Sequence, residues 1–364
     1  MIKADRLLAT FLTILRLDSY HPREMPVVDA LRTKLERVGL ELTLDKHGNL
    51  LGFWPGRGAG AGQEPVLLCA HMDTVQPTAG MEPIVRDGAV HSDGTSVLGA
   101  DDKAAVAAIV EALEALADTG ESHPPVEVLF TVGEDVGHIG SKAFDVTPVR
   151  SRMAFVPDAD GPVGQIVLAA PWATGVRVRF HGRAAHAGMD PQNGRSSLSM
   201  AARAIDRMKL GRIDDQTTTN VGTLAGGQAV NIVPPEAELV FQVRSLDHQK
   251  HDRHLDAMLD CCRQGAAAFG GRLEHEVVGG TQGYRFDPDA AVIRRAESAA
   301  RAARLEPKHI VTCGGSDANE LNAKGLATCV LSVGYRDIHT HIESMPIDQL
   351  NQLARFCAEL MRGK

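Results

Sequence analysis

Pro65 to Val75 reads P-V-L-L-C-A-H-M-D-T-V, an apolar run that stops abruptly at His71 and Asp73. Val66, Leu67, Leu68 and Cys69 show no alternation of polar and apolar residues, which predicts a strand buried on both faces, as in the parallel sheets of α/β proteins. Open sheets of that kind collect their ligands at the carboxyl ends of the strands, so His71 and Asp73 stand where chemistry is expected. Two apart, they point the same way if the extended geometry persists. A carboxylate so placed can fix the tautomer and orientation of a metal-ligating imidazole. The same pair also makes an ordinary hydrogen-bonded turn, and the rest of the chain has to decide between the two.

Four further segments end in the same manner. In S-V-L-G-A-D-D-K at 96–103, Gly99 allows a tight turn and Asp101 and Asp102 sit at the start of an Ala-rich helix over Lys103 to Leu116; acidic residues there also serve as caps and complement the helix dipole. The strand Val126 to Val132 runs into Glu134 and Asp135. Met153 to Val156 is strand-like and is terminated by Pro157 and Asp158, with Asp160 close behind. Leu326 to Val333 leads through G-Y-R-D-I to His339, His341 and Glu343. Five ends presenting His, Asp or Glu at one edge of a sheet crowd carboxylates together, and these repel unless a cation intervenes.

The bulk properties narrow the function. A chain of 364 residues accommodates two or three domains at the usual ~100 to 200 residues each. Net charge of -8 with both signs mixed offers no basic patch for a phosphate backbone, and 4% aromatics leaves little to stack on bases, which argues against nucleic acid. Leu7, Leu8, Phe11, Leu12 and Leu15 fall at helical spacing, and Asp5 and Arg6 interrupt the run, so the N-terminus predicts an amphipathic docking helix and not a signal peptide. No stretch reaches the ~18 apolar residues of a membrane span. The six cysteines, at 69, 261, 262, 313, 329 and 357, form no C-x-x-C pair and read as reduced thiols of a cytoplasmic protein.

Met25 to Val38 predicts a second helix; Leu40 to Phe53, with H-G-N at 47–49, and Ile84 to Ser92, around D-G, predict hairpins. Between the two halves of the site the grammar changes. Thr174 to Phe180 alternates strictly, Ser196 to Met208 is helical, Thr217 to Leu224 and Ala237 to Val243 are strands, His251 to Phe269 is helical and Arg272 to Val278 alternates again. That order is β-α-β-β-α-β, the ferredoxin-like unit. The expected organisation is therefore an α/β catalytic domain with a mixed sheet, formed by 1–172 and 284–364, and an inserted ferredoxin-like domain at 173–283.

These motifs resemble the co-catalytic zinc exopeptidases and amidohydrolases that include peptidase T, glutamate carboxypeptidase and aminoacylase. The resemblance rests on H-M-D-T-V at 71–75, G-A-D-D-K at 99–103, T-V-G-E-D-V-G at 131–137, V-P-D-A-D-G at 156–161 and I-H-T-H-I-E at 338–343, with A-H-A-G-M-D-P at 185–191 and N-V-G-T-L-A-G-G-Q-A-V-N-I-V-P at 220–234 in the insert. It covers nearly the whole chain, and A-D-G-P-V-G-Q-I-V at 159–167 is most similar to the peptidase T branch. The resemblance implies a zinc-exopeptidase catalytic domain, an insert that acts as lid and dimerisation domain, and two divalent ions, zinc by default with cobalt or manganese as alternatives. Asp101 bridges both ions in that picture, His71 and Asp158 complete one, and Asp135 and His339 the other. Glu134 becomes the general base and Asp73 orients His71. His186 stabilises the oxyanion in the partner subunit's site. Arg244 grips a substrate carboxylate, and Asn231, Gly314, Gly315, Ser316 and Asp317 line the substrate pocket. His91, His138 and His341 match no ligand position and read as satisfied or solvated histidines. Where the family has Glu-Glu, this chain has Glu134-Asp135, a ligand one methylene shorter.

The implied activity is hydrolysis of an amide bond in small peptides by a homodimeric tripeptide-type aminopeptidase. An N-acyl-amino-acid amidohydrolase or carboxypeptidase using the same ions stays open, because specificity lies in pocket residues. A metal-binding protein without catalysis is the rival of another class, and the presence of Glu134 argues against it. Phosphoesterase chemistry lacks the Arg and Lys cluster that phosphate charge would call for.

Overall fold

The strand expected at the organising stretch forms as Val66–His71, buried along its whole length, and it lies between two parallel neighbours, Val126–Thr131 and Met153–Ala159. The structure, a computed structural model, describes residues 1–363. Ala327–Ser332 continues the parallel set on the far side of Met153–Ala159. The sheet has nine strands: the Glu41–Leu44 and Leu50–Trp54 hairpin closes one edge, and Gln165–Ala170, Tyr284–Arg285 and Lys308–Val311 extend the other. Parallel strands end on one side, so the segments after His71, Thr131, Ala159 and Ser332 emerge at a common edge.

The chain divides into two compact units, Met1–Ala169 with Arg285–Lys364, and Ala170–Tyr284. In the first, the helix Ala100–Thr119 is buried on every side from Ala100 to Leu116. A helix that is apolar all round belongs in a core, and its alanines allow the sheet strand Val66–His71 and the helices Ala4–Leu15, Met25–Val38 and Ile347–Arg362 to pack closely around it. Of the expected N-terminal stripe, Leu7, Phe11 and Leu15 are buried together with Ile14, and Leu8 and Leu12 pack at its margin. Two acids are buried in this interface: Glu111 is met by Arg6 at 2.6 and 3.0 Å and by the Lys3 amide at 2.7 Å, and Glu114 faces Arg6 at 3.4 Å and Lys34 at 3.5 Å. The hairpin Ile84–Arg86 to Ala89–His91 turns at Asp87 and Gly88 with φ of 51° and 75°, the left-handed pair that two-residue hairpins prefer.

Pro157 does not terminate its strand. Met153–Ala159 continues through Pro157 and Asp158, and the register against Ala327–Ser332 shifts between Leu331 and Ser332 to absorb the irregularity. A proline that cannot donate is tolerated at such a bulge.

The second unit is a five-stranded antiparallel sheet in the order Gly211–Arg212, Thr217–Gly226, Glu236–Ser245, Trp172–His181, Arg272–Thr281, with the helices Ser197–Arg207 and His248–Ala268. Its four long strands have the first and third at the centre, the ferredoxin-like order. Val176, Val178 and Phe180 join Leu239, Phe241 and Val243 in one core with both helices, and Arg177 and Arg179 alternate onto the opposite face. Ser196 caps the first helix by accepting the Ser199 amide, and Asp247 caps the second by accepting that of Lys250. All six cysteines are free. Among the described residues no helix is long and apolar enough to cross a membrane.

Candidate metal centre

Where the four parallel strands end, the first unit gathers a compact set of imidazoles and carboxylates. Asp101 lies between two histidines. Its Oδ1 is 3.3 Å from His71 Nε2 and its Oδ2 3.1 Å from His339 Nε2. Asp158 Oδ1 is 3.9 Å from His71 Nε2, and Asp135 Oδ1 is 3.3 Å from His339 Nε2. The five residues that the sequence motifs single out as ligands thus form one continuous chain, Asp158, His71, Asp101, His339, Asp135.

Local backbone explains how each reaches the cluster. Gly99 has φ of 76°, and a Cβ there would stand 2.8 Å from Thr74 Cγ2, so only glycine permits the turn that delivers Asp101. Asp101 and Asp102 precede the regular helix, with ψ of 106° and 22° and a cis bond between them. Glu343 holds this turn by accepting the amides of Gly99 at 2.8 Å and Asp101 at 3.1 Å. Asp73 does the same for the neighbouring loop, accepting the amides of Glu134 at 2.9 Å and Asp135 at 3.1 Å, while its Oδ1 stands 3.4 Å from His71 Nδ1. Tyr335 Oη is 3.5 Å from Asp158 Oδ1.

Three groups have donor atoms within 4.8 Å of one another and could hold an ion: Asp101 with Asp135 and His339; His71 with Asp102 and Asp158; and His71 with Asp73 and Asp135. Asp102 in the second group lies outside the ligand set the motifs imply; it is fully buried, and neither carboxylate oxygen has a hydrogen-bond partner. Asp135 Oδ2 is also buried without a hydrogen bond. Buried acceptors left unmet are costly, and a pair of divalent cations fits this donor set. Nitrogen and carboxylate ligands suit zinc, with cobalt and manganese close in preference.

The electrostatics say the same. Burial, reinforced by the facing carboxylates of Asp102, Glu134 and Asp101, pushes Asp158 far above the usual carboxylate range, and burial likewise raises Asp102, Glu134 and Asp135. Asp101 is lowered despite its burial because His339 and His71 donate to it. His339, beside Asp101 and Asp135, is pushed up to about 10. Divalent cations in this cluster would supply the opposite charge that favours the ionised carboxylates.

Glu134 is buried, and its Oε1 is 3.1 Å from His138 Nε2. His91 and His341 join no metal-capable group, and His341 Nδ1 faces the Gly94 carbonyl at 3.2 Å. Ser316 is buried, its hydroxyl accepting the Ala318 amide in a capping box with Asn319; Gly315 beside it and Gly314 are exposed. Asp317, also buried, receives the Thr131 hydroxyl. In the second unit, the exposed His186 receives the Gly188 and Met189 amides on Nδ1 at 3.2 and 3.1 Å, which leaves Nε2 as the protonated nitrogen. The Asn231 carbonyl accepts the Ala187 amide at 2.9 Å, and Arg244 Nε donates to Gln242 Oε1 at 2.7 Å. Sequence reasoning missed Asp102, Tyr335 and the contact of His138 with Glu134, and it gave Glu343 no role. For His138 the four-residue spacing from Glu134 was the only available signal.

Comparison with known proteins agrees with this arrangement. The sequence profile described as a peptidase dimerisation domain, of the M20 type, matches residues 172–269, and that of peptidase family M28 matches residues 49–164. The uncharacterised protein YqjE of Bacillus subtilis is 36% identical over 99% of both chains. Among solved structures, aminopeptidase PepT from Bacillus cereus superposes with a TM-score of 0.92 at 34% identity, covering 100% of this chain and 99% of the other. A tripeptidase from Staphylococcus aureus gives 0.94 at 35%, covering 100% and 98%.

Proposed function

The chain belongs to the M20 family of metallopeptidases, and we propose that within it this protein is a zinc-dependent aminopeptidase that removes the N-terminal residue of small peptides, tripeptides foremost. The observation that carries the reading is the placement of Asp101, one oxygen toward each of two histidines that each have a further carboxylate behind them. Similarity at full length to an aminopeptidase and a tripeptidase supports the substrate class.

In this proposal His71, Asp101 and Asp158 would hold one ion and Asp101, Asp135 and His339 the other. Paired divalent ions, when bound, acidify water and polarise a carbonyl oxygen. Asp101, with one oxygen toward His71 and the other toward His339, would serve both positions. Asp73 fixes the His71 ring through its other nitrogen and, through two amides, the loop that bears Glu134 and Asp135. Glu134 takes a proton from the attacking water onto its carboxylate and delivers it to the peptide nitrogen as the C–N bond breaks, so one carboxylate acts first as base and then as acid. His186 donates through Nε2 to the carbonyl oxygen that becomes negative, from the dimerisation domain of the partner chain in a homodimer. Arg244, with Asn231, Gly315 and Ser316, binds the C-terminal part of the substrate.

The test is a comparison of free tripeptides, N-blocked tripeptides and N-acetyl amino acids, with metal content measured on the same preparation. Release of the N-terminal residue from free tripeptides, lost on chelation and restored by zinc, cobalt or manganese, is expected. Preferential hydrolysis of N-acetyl amino acids would replace the aminopeptidase reading by amidohydrolase, and full activity without metal would overturn both.

A further inference from the structure

We propose that His138 is a positioning residue that anchors one oxygen of Glu134, and that Glu320 holds His138 in place for that task. This inference rests on the reading of Glu134 as the group that carries the proton.

The loop after the Val126–Thr131 strand is folded back on itself. The Glu134 carbonyl accepts the amides of Gly137 at 2.9 Å and His138 at 2.8 Å, and Ile139 and Gly140 return to the carbonyls of Gly133 and Val132 at 2.9 and 2.8 Å. His138 adopts φ of 59° and ψ of 38°, a left-handed conformation that few residues other than glycine take up. That backbone brings the ring against the residue four positions earlier. Nε2 lies 3.1 Å from Glu134 Oε1 and Nδ1 lies 3.2 Å from Glu320 Oε1, with all three side chains nearly buried.

The element supplying Glu320 is itself fixed to this loop. Glu320 lies on the helix Asp317–Ala323, whose first residue takes the hydroxyl of Thr131 at the end of the strand. Lys324, at the other end of that helix, donates to the carbonyls of Ser141, Lys142 and Phe144, closing the short helix Ile139–Ala143 that follows His138. The helix therefore grips the loop before and after the histidine, and the ring between is held from both sides. With a carboxylate at each nitrogen the imidazole retains both protons. Burial opposes the charge, but Glu134 and Glu320 outweigh it and push His138 up to about 10. Both N–H groups then donate.

The consequence for the reaction is a division of labour within one carboxylate. Oε1 receives the His138 N–H and stops rotating; Oε2 remains to accept the proton of water. A carboxylate anchored through one oxygen keeps its reactive geometry, whereas a free one samples unproductive orientations, and precise placement of a catalytic group is worth large rate factors. Loss of His138 should thus slow the chemical step and leave substrate affinity and metal content intact.

Three variants test this, each assayed for kcat, KM, metal content and Tm on a free tripeptide. His138→Asn tolerates the left-handed backbone but is too short to reach Glu134; kcat should fall by ~10 to 100-fold, as for lost partners of metal-site groups, with KM within about twofold and both ions retained. His138→Gln restores an N–H at longer reach and should recover much of that loss. Glu320→Gln, which does not touch Glu134, should lower kcat by a smaller factor, and combined with His138→Asn it should add nothing, because the two act in series. Wild-type kcat in a metal-replete His138→Asn chain overturns the proposal. So does loss of kcat only in proportion to the folded fraction, or an effect of Glu320→Gln that adds fully to the other. Glu134→Gln run beside them separates the two layers. If it keeps wild-type kcat, the reading of Glu134 fails and this inference with it; if it is inactive while His138→Asn is not, the positioning role alone fails.

Discussion

The edge of the parallel sheet in the first unit and the open face of the antiparallel sheet in the second both concentrate ionisable side chains, and they treat them in opposite ways. At the first, Asp73, Asp101, Asp102, Asp135, Asp158 and Glu134 crowd around His71 and His339, mostly buried and with several oxygens unmet. At the second, Arg177 and Arg179 interleave with Glu238 and Glu276 at 3.0 to 3.2 Å, each cation shared by two acids and all between a third and a half exposed. Balanced charge at the surface costs little and stabilises little. Unbalanced charge in the interior is sustained only if something neutralises it. The contrast marks the first region as one that calls for a ligand and the second as one whose charges already match in pairs.

The largest effect that could break this contrast is at Asp101. Asp101→Asn removes the charge proposed to serve both ion positions, so metal content should fall below two per chain and kcat/KM should drop by well over the ~10 to 100-fold typical of partners outside the ligand set. Mass spectrometry of the native protein together with tripeptide assays measures both. Retention of two ions and of activity would show that the crowd of carboxylates does not depend on this residue.

Chelation of the intact protein comes next. A ligand bound at 100 times its dissociation constant stabilises by ~2.7 kcal/mol, and at ~2 °C per kcal/mol, the low end of the range for ~150 to 250 residues, the Tm should fall by roughly 5 °C when metal is withdrawn. Calorimetry should recover the loss on adding zinc. An unchanged Tm would mean that the buried carboxylates are neutralised by protons alone.

How much of this contrast is legible in the sequence depends on distance along the chain. The strand at Val66–His71, the helix Met25–Val38 and the alternation of V-R-V-R-F are local patterns, and the structure reproduces them with small changes of boundary. The convergence of five His and Asp ligand candidates is legible because each follows a recognisable strand or helix start. Glu343 is not, since it works 242 residues away from the Asp101 amide and no local period announces that contact. Asp102 reads as a helix cap because acidic residues at helix starts usually are caps, and only its burial among His71 and Asp158 says otherwise. Pro157 reads as a terminator because a bulge depends on the register of Ala327–Ser332, which lies far downstream. The helix Ala291–Ala302 and the burial around Ile347–Arg362 decide the packing of the first unit without contributing any motif.

Glu343 offers a third test, of smaller size. Its carboxylate is the acceptor for two buried amides at the turn that delivers Asp101, and an amide left without a partner costs ~1 to 3 kcal/mol. Glu343→Ala should lower Tm measurably and weaken metal retention, whereas Glu343→Gln, which keeps a carbonyl oxygen, should recover part of both. Equal behaviour of the two variants would indicate that charge, and not the acceptor, matters at this position.

The smallest expected effect lies on the open face of the second unit, and it is the sharpest check on the contrast because it predicts near silence. Arg179 donates to Glu238 and Glu276 at 3.2 Å from a side chain about half exposed. In solvent each pair gains little Coulomb energy, costs side-chain entropy to hold, and is screened beyond the ~8 to 10 Å Debye length of ordinary buffers. Arg179→Ala should therefore shift Tm by no more than about 3 °C, as expected for exposed pairs, and leave kcat and metal content untouched. The residual shift should shrink further in 1 M salt, and a double-mutant cycle with Glu276→Ala should return a coupling at the low end of the exposed range. A shift as large as that produced by chelation, or one indifferent to salt, would mean that the ladder is buried in the working assembly. The same four residues would then have to be counted, like the acids of the first unit, as charges held in an interior.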